Sequence, residues 1–280
     1  MSASEPEPKR ARSEPEEKPP SRPIVVPDDS PGYSVESIAV PHHYEGMVDN
    51  VLLPNGLIKD RIETLAREIR QHYAGTTIHL LCVLKGGAAF FVDMIETLRM
   101  IHRLNDHSYV PFTFDYIRVK SYEGTESTGK IKISGIDEST LAGKHVLLVE
   151  DVSGPQYSSF LLSALPHRVL APCSLIFAAW FPLAPSALLA LAPQIVDTGK
   201  TMQALIPHLE QTSGAASIKV AALFEKRTSK SVGFKADFIG FSIPDKFIVG
   251  YCMDYNEAFR DMGHICVISE AGKVAFAGGI

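Results

Sequence analysis

Residues 195–202 read IVDTGKTM, and the apolar run HVLLV at residues 145–149, followed by Glu150 and Asp151, would naturally lead straight into them. An apolar run, an acidic pair and then a small glycine-containing turn is the pattern of a buried strand that continues into a helix of an α/β fold. In this chain, however, residues 152–194 stand between the two halves. Both the fold and the function therefore depend on whether these separated segments act together.

The composition is that of an ordinary globular protein. With 280 residues, of which 45% are hydrophobic, the chain can bury the core of one domain with an accessory region. A net charge of -5 gives no basic footprint for nucleic acid, although it does not exclude a local anion site. The four cysteines have no CxxC spacing and no secretory signal is visible, so we expect buried free thiols and a cytoplasmic protein without a membrane partner.

The first 32 residues differ from the rest of the chain. They are rich in Glu, Pro, Ser and Lys and lack apolar periodicity, which predicts a disordered tail at 1–32 before a domain at 33–280. Within that domain, residues 60–72 carry apolar side chains at helical spacing, and the continuous apolar run at 78–84 predicts a buried parallel strand. Lys85, Gly86 and Gly87 then form a turn into a helix that continues to residue 99.

Further strands are predicted at 110–120, 144–149, 218–224 and 238–241. The repeating pattern favours a doubly wound parallel sheet, in which ligands bind at the carboxyl ends of the strands. Three of these ends carry polar side chains, at 85–87, 150–151 and 226–227, so we expect them to meet in one crevice. The segment 121–130 lacks apolar anchors and is predicted to be a mobile surface loop.

Residues 198–201 open a helix predicted to run to about Gln211, and their backbone N–H groups and hydroxyls form a phosphate cradle at its positive end. A P-loop is rejected, because that motif requires a glycine at position 194, where Gln194 stands. Pro207 lies inside the predicted helix and removes one of its hydrogen bonds.

Glu150, Asp151 and, once the inserted residues are set aside, Asp197 form a group of closely spaced carboxylates. Such a group suits a ribose diol and a hard divalent cation. The structural alternative is an exposed acidic turn. In the same way, Lys226 with Arg227 can be a solvated basic turn and Phe247 a core aromatic.

When Val149–Asp151 are joined to Ile195–Met202, the result resembles the PRPP-binding signature of type I phosphoribosyltransferases. The resemblance covers about residues 32–151 and 195–272, and within the family it is similar to the hypoxanthine-guanine phosphoribosyltransferases of eukaryotes. It is carried by the segments 84–87, 120–122, 127–129, 226–228, 243–251, 254–256 and 259–261.

The resemblance implies an α/β fold with a doubly wound parallel sheet and a small hood built from N- and C-terminal segments. It implies a purine-salvage enzyme that transfers a phosphoribosyl group from PRPP to hypoxanthine or guanine, giving IMP or GMP and pyrophosphate. Mg²⁺ is the implied cofactor, and a homodimer or homotetramer the implied assembly.

The resemblance also implies a role for each matched residue. Asp197 would be the general base that takes the purine proton. PRPP would be bound by Glu150, Asp151, Thr198, Gly199, Lys200, Thr201, Lys85, Gly86 and Arg260. The purine would be bound by Lys226, Phe247 and Ile248. Asp254, with Glu150 and Asp151, would bind the metal, and Ser121 and Tyr122 would belong to the lid.

Residues 152–194 depart from the family and from the rest of the chain. They contain one charged residue, Arg168, in 43 positions, together with the only tryptophan and six of the 19 prolines. A transmembrane helix is disfavoured because Pro182 and Pro185 interrupt the apolar run, and an evolved lid would need polar surface. We favour a translated retained intron: Val152 and Ser153 can be encoded by GTG AGT and Gln194 by CAG. A fourth alternative is a genuine but inactive isoform, which would arise from the same retention of the intron.

The insertion separates the halves of the proposed site, so we expect the chain as written to have weak or no activity. A non-catalytic protein that binds PRPP or a nucleotide is the alternative from another class. The presence of Asp197 argues against it, because a pure binding protein needs no base at that position.

Overall fold

The computed structural model describes residues 22–104, 110–121, 131–153 and 199–280. Its strands are β1 Ile24–Val25, β2 Val48–Leu53, β3 Ile78–Leu84, β4 Phe112–Ser121, β5 Ile131–Ser134, β6 His145–Ser153, β7 Ser217–Arg227, β8 Phe238–Pro244, β9 Ile248–Val249 and β10 Ile265–Ile268. Its α-helices are α1 Asn55–His72, α2 Ala88–Leu104, α3 Lys200–Thr212 and α4 Glu270–Ala275, and short 3₁₀ helices occupy Val35–Ser37, His42–Tyr44 and Glu138–Leu141.

Seven strands form the main sheet in the order β1-β8-β7-β6-β3-β4-β5, and all neighbours are parallel except β4 and β5. From β3 the chain proceeds to β4 and β5 on one side and then returns to β6 on the other side of β3. The order in which the chain adds strands therefore reverses between the parallel neighbours β3 and β6. In an open α/β sheet, the carboxyl ends of the strands at such a switch point form the ligand crevice.

Helices cover both faces of this sheet, which confirms the doubly wound architecture. The first core cluster contains residues of α1 and α2, whereas the second contains Met202, Leu205 and Leu209 of α3. Strand β3 supplies both cores, because alternate side chains point to opposite faces: Leu80 and Cys82 belong to the first cluster, and Leu81 and Val83 to the second. The continuous apolar run at 78–84 follows from this two-sided burial.

A second, three-stranded sheet confirms the predicted hood. It has the order β2-β10-β9 and is antiparallel, so it joins one segment from the N-terminal side with two from the C-terminal side. A third core cluster, which includes Tyr44, Val51 and Phe259, lies beneath it. The hood and the main sheet together frame the carboxyl ends of β3 and β6.

The predicted tail is wrong for residues 22–32. Strand β1 adds to the edge of the main sheet beside β8, Val26 is buried, and the Arg227 guanidinium binds the Val26 carbonyl and the Asp28 carboxylate. A strand of only two residues has no alternation to detect, and its pairing depends on a distant part of the chain. Residues 1–21 lie outside the described residues.

Other differences are smaller. The antiparallel strand β5 at the end of the sheet was not predicted, and α1 begins at Asn55 rather than residue 60. Of the predicted free thiols, Cys82 and Cys266 are buried and Cys252 is half-buried, while Cys173 lies outside the described residues. Across the described ranges, no helix is long and apolar enough to cross a membrane.

Arg61, on the buried side of α1, ties this helix to the far edge of the sheet. Its guanidinium donates to the carbonyl oxygens of Gly240 at 2.8 Å and Ile239 at 2.9 Å, both in β8, and to Arg22 at 3.1 Å. The residue is 7% exposed, and burial lowers the pKa of the guanidinium. These bonds satisfy carbonyl groups that water cannot easily reach.

We predict that Arg61→Met lowers the free energy of unfolding by about 2 to 4 kcal/mol, because buried carbonyls lose their donor. Chemical denaturation of the purified protein measures this. Arg67→Met on the same helix is the control: its exposed i,i+4 ion pair with Glu63 is worth less than about 1 kcal/mol. Equal losses in the two variants would contradict the assigned role of Arg61.

Candidate active site

The turn after β3 and the end of β6 fit together at the switch point. A Cβ atom added to Gly86 would lie 2.0 Å from Asp151 Oδ2, and one added to Gly87 would lie 2.9 Å from the Val83 carbonyl oxygen. Only a residue without a side chain allows the Asp151 carboxylate to approach this turn. The structure thus brings Lys85 and Gly86 beside Asp151, as the sequence predicted.

Glu150 is the most buried of the described acids of the site. The residue is 6% exposed, and its Oε2 atom has no hydrogen-bond partner among the described residues. Burial, and secondarily the charge of Asp151, raise the pKa of the Glu150 carboxyl group well above its ordinary value. An unsatisfied buried carboxyl group of this kind is costly to the fold and is suited to a hydroxyl donor supplied by a ligand.

The N-terminus of α3 supplies the described part of the phosphate cradle. Gly199 precedes the helix with φ +75°, and a Cβ atom there would lie 2.9 Å from the Cβ of Phe234, so glycine is required twice over. The first N–H groups of a helix have no intrahelical acceptor and point towards an incoming anion. Thr201, at the second position of α3, is 5% exposed, and Met202 is anchored in the second core.

The residues predicted to bind the purine follow β7 and β8. Lys226, the penultimate residue of β7, is 3% exposed, which is rare for a lysine. Phe247 lies between β8 and β9, with its ring edge-on to Tyr255 at 5.4 Å between centroids, and Ile248 is fully buried. The alternative that Lys226 belongs to a solvated turn is therefore wrong.

The loop from Tyr251 to Arg260 carries an ion network towards the turn after β3. Arg260 Nη2 lies 2.8 Å from Asp254 Oδ1, and Arg260 Nε lies 3.1 Å from Glu257 Oε2. Lys85 Nζ lies 3.0 Å from both carboxylate oxygens of Glu257. The predicted residues Lys85, Asp254 and Arg260 are thus brought together, and Glu257 joins them.

This loop also concentrates the unusual backbone of the protein. In the part of the chain that the structure describes, every non-glycine residue with positive φ lies in it: Tyr251, Cys252, Asn256, Glu257 and Phe259. Such conformations cost energy for residues with side chains, and they tend to occur at functional sites. The Glu257 N–H donates to Asp254 Oδ2 at 2.7 Å, and the Arg260 side chain donates to the Cys252 carbonyl at 2.6 Å, which closes the loop on itself.

The carboxylates fit Mg²⁺ as a partly substrate-held ion. Within the described ranges, no group of three or more His, Cys, Asp or Glu residues could hold a metal by themselves. Mg²⁺ commonly takes only one or two carboxylates together with substrate phosphate oxygens and water. Asp151 and Asp254 offer such hard oxygen ligands, and Glu150, the residue before Asp151, contributes a carboxyl oxygen without a hydrogen-bond partner among the described residues.

Several predicted residues lie outside the described ranges: Asp197, Thr198 and Tyr122. Ser121 is the last described residue before residues 122–130, and Lys200 opens α3. Residues 154–194 also lie outside, whereas Val152 and Ser153 extend β6 and pair with Phe224 and Glu225 of β7. Sequence reasoning missed Glu257; the only signal was a carboxylate placed between Asp254 and Arg260.

Comparisons with known proteins agree with this geometry. The family described as "Phosphoribosyl transferase domain" matches residues 50–154 and 194–256, so its match is interrupted where the insertion was predicted. Hypoxanthine-guanine phosphoribosyltransferase of Rattus norvegicus is 43% identical over 254 residues, covering 90% of this chain and 96% of the relative, and the enzyme of Homo sapiens is 42% identical over the same shares.

A solved structure, the hypoxanthine-guanine phosphoribosyltransferase from Schistosoma mansoni in complex with IMP, is 31% identical with a TM-score of 0.64. The match covers 91% of this chain and 100% of the Schistosoma mansoni chain. The sequence identities, the coverage and the fold agree, and the chain belongs to the phosphoribosyltransferase family, within its hypoxanthine-guanine phosphoribosyltransferases.

Proposed function

We propose that this enzyme acts in purine salvage, transferring the phosphoribosyl group of PRPP to hypoxanthine or guanine and releasing pyrophosphate with IMP or GMP. The observation that carries the proposal is the contact of the Asp151 carboxylate with Gly86 at the switch point of the sheet. It places an acid pair suited to a ribose diol directly beside a turn whose Lys85 is suited to pyrophosphate.

The two ends of PRPP would be held from opposite sides of this contact. The N-terminus of α3, with Thr198, Gly199, Lys200 and Thr201, would bind the 5′-phosphate, because helix N–H groups and the helix dipole favour an anion. Lys85, Gly86 and Arg260 would bind the pyrophosphate group through charge-assisted hydrogen bonds. Between these two ends, Glu150 and Asp151 would accept hydrogen bonds from the ribose hydroxyl groups. Anchoring both ends orients the anomeric carbon for attack.

The purine would lie between the ends of β7 and β8. The buried Lys226 ammonium would donate to its exocyclic oxygen, Phe247 would stack on its face, and the Ile248 backbone would contact its edge. In the reaction, a ring nitrogen of the purine forms the bond to the anomeric carbon while the bond to pyrophosphate breaks, and Asp197 takes the nitrogen's proton. Ser121 and Tyr122 would belong to a lid that excludes water.

Asp254, with Glu150 and Asp151 nearby, would hold Mg²⁺. When bound, the ion would neutralise charge on the pyrophosphate oxygens as they leave. A non-catalytic PRPP- or nucleotide-binding role gains no support from the site. We further propose that the protein acts in the cytoplasm.

The domain boundaries are part of the proposal. We assign the catalytic domain to residues 22–280 and regard residues 152–194 as a translated intron that the working enzyme lacks. Support comes from the composition of the segment and from the family match that resumes at residue 194. Sequencing of transcripts across Asp151 and Ile195 tests this directly, and the absence of any spliced form would contradict it.

We predict that deletion of residues 152–194 restores IMP formation from hypoxanthine and PRPP, whereas the chain as written is at least about 100-fold slower in kcat/KM. The reason is that Asp197 and the phosphate cradle must be held in register with Glu150 and Asp151, and small displacements of reacting groups carry penalties of this size. A steady-state assay of both chains measures the difference.

Asp197→Asn in the shortened chain is the control for this assay. Loss of a general base should reduce kcat by about 100- to 10,000-fold. Near-normal turnover by the chain as written would contradict the prediction, and full activity of Asp197→Asn would contradict the assigned base.

We predict that Glu150→Gln weakens PRPP binding and raises the stability of the folded protein. The KM for PRPP should rise about tenfold or more, because the amide of glutamine has one acceptor oxygen instead of two and cannot ionise to strengthen the hydrogen bonds from the ribose hydroxyls. The folded-state pKa of Glu150 lies above the unfolded value, so the ionised group costs stability above that raised pKa, and the cost disappears as the pH falls to the ordinary carboxyl range. The variant should therefore unfold at higher temperature than the parent at pH 8, with the gap closing towards pH 4.

Glu96→Gln, an exposed acid of α2, is the matched control and should change neither quantity. If the Glu150→Gln protein is less stable than the parent at pH 8, burial of the Glu150 carboxyl group does not lower the stability of the fold, and the prediction is contradicted. Kinetic assays and thermal unfolding across the pH range supply both readouts.

We propose that the enzyme assembles as a homodimer or homotetramer through an apolar patch formed by Phe114 and Tyr116. These residues are 41% and 40% exposed, and their rings pack on Phe91. Clustered exposed aromatics of this kind commonly mark an interface.

We predict that Tyr116→Glu lowers the molar mass measured by light scattering, whereas Val274→Glu, at an exposed position on α4, does not. An unchanged mass for Tyr116→Glu would contradict this surface.

A further inference from the structure

Glu257 receives both of the cations that the proposed function assigns to pyrophosphate. Lys85 Nζ lies 3.0 Å from Oε1 and 3.0 Å from Oε2, and Arg260 Nε lies 3.1 Å from Oε2. Lys85 follows β3 of the main sheet, whereas Glu257 and Arg260 belong to the loop beside the hood. One carboxylate therefore bridges two parts of the protein through the groups that would otherwise face a phosphate.

The charges around the Glu257 carboxylate agree with this bridging position. Hydrogen bonding from Lys85 is the main cause that lowers the pKa of Glu257, and hydrogen bonding from Arg260 adds to it. Arg260 has other partners, since its Nη2 pairs with Asp254 and its Nη1 with the Cys252 carbonyl. Its Nε–Glu257 contact can be exchanged while these bonds hold the guanidinium in place.

The exposure of the groups makes this exchange inexpensive. The side chains of Lys85 and Glu257 are 45% and 58% exposed, so water can solvate the carboxylate when it leaves the lysine. Pyrophosphate carries more negative charge than a carboxylate and offers more acceptor oxygens, so it can displace Glu257 from both cations. Exposed ion pairs of this type are weak enough to be exchanged in each cycle.

We infer that Glu257 is an internal counter-ion that occupies the pyrophosphate subsite before PRPP binds and competes with pyrophosphate for Lys85 and Arg260 after transfer. This inference rests on the proposed function, because that function assigns the two cations to pyrophosphate. Glu257 is a positioning residue: it holds Lys85 and Arg260 facing each other, weakens the binding of PRPP and speeds the departure of pyrophosphate.

A direct test is calorimetric titration of sodium pyrophosphate, without added metal, into the full chain and its Glu257→Gln variant. Gln has the same shape but no charge, so the variant should bind pyrophosphate about three- to tenfold more tightly, in line with the loss of two exposed ion pairs. Glu270→Gln, which loses a comparable exposed pair with Lys273 on α4, is the control and should bind as the parent does. Equal or weaker binding by Glu257→Gln, or no binding by either protein, overturns the inference.

Kinetics in the chain lacking residues 152–194 separate this role from simple support of the loop. A competing counter-ion predicts that Glu257→Gln lowers the KM for PRPP and the inhibition constant for pyrophosphate by the same three- to tenfold, with no rise in kcat and an unchanged KM for hypoxanthine. A structural role would raise the KM for PRPP instead. If Glu257→Gln does not fold, Glu257→Asn replaces it, since asparagine accepts the φ of +71° at this position.

Failure of this inference is distinguishable from failure of the proposed function. If the parent chain without residues 152–194 forms IMP but Glu257→Gln changes neither pyrophosphate binding nor the KM for PRPP, only the counter-ion role is lost. If that chain forms no nucleotide while the calorimetric difference persists, the anion subsite remains and the assigned reaction is wrong.

Discussion

The approach of the Asp151 carboxylate to the backbone of Gly86 is the constraint on which the site depends. It exists because β3 and β6 are parallel neighbours with their last paired residues at Cys82 and Val149, so the two segments that follow leave the same edge of the sheet. Any side chain at residue 86 would fill the space of the carboxylate. The fold thus converts a topological feature, the reversal of strand order, into a fixed distance between an acid pair and a cationic turn.

Around this contact, the protein holds a polar group and several backbone segments in energetically unfavourable states. Glu150 is buried with an unsatisfied oxygen, and all the described non-glycine residues with positive φ lie in the loop that carries Asp254, Glu257 and Arg260. These features lower stability locally, and the three hydrophobic cores on either side of the main sheet and under the hood offset the cost. Preorganised charge is useful for binding a polyanion, because little reorganisation is then needed when the ligand arrives.

Local sequence predicted the parts of the structure that local physics controls. The strand at 78–84 was found at its observed bounds, because burial on both faces leaves a continuous apolar run. Strand β1 and the contacts of Arg61 were missed, because both depend on partners in β8 that are distant in sequence. The positive φ of Glu257 was equally unpredictable, since nothing in a glutamate indicates a left-handed backbone. Lys85, Asp254 and Arg260 could be assigned by family resemblance, but their contacts with Glu257 depend on how the loop after β9 folds against the turn after β3.

The described start of the insertion indicates why the insertion should matter for catalysis. Val152 and Ser153 continue β6 and pair with Phe224 and Glu225, so the chain remains in the sheet for two residues beyond Asp151. In the rejoined sequence, Ile195 and Val196 would take these two positions and Asp197 would follow them directly. Both Val152–Ser153 and Ile195–Val196 can therefore continue the strand. Only in the rejoined sequence, however, does Asp197 come three residues after Asp151, which is close enough along the chain to fix its position. A base must be held near the reacting atoms, and a path of more than 40 residues does not supply that constraint.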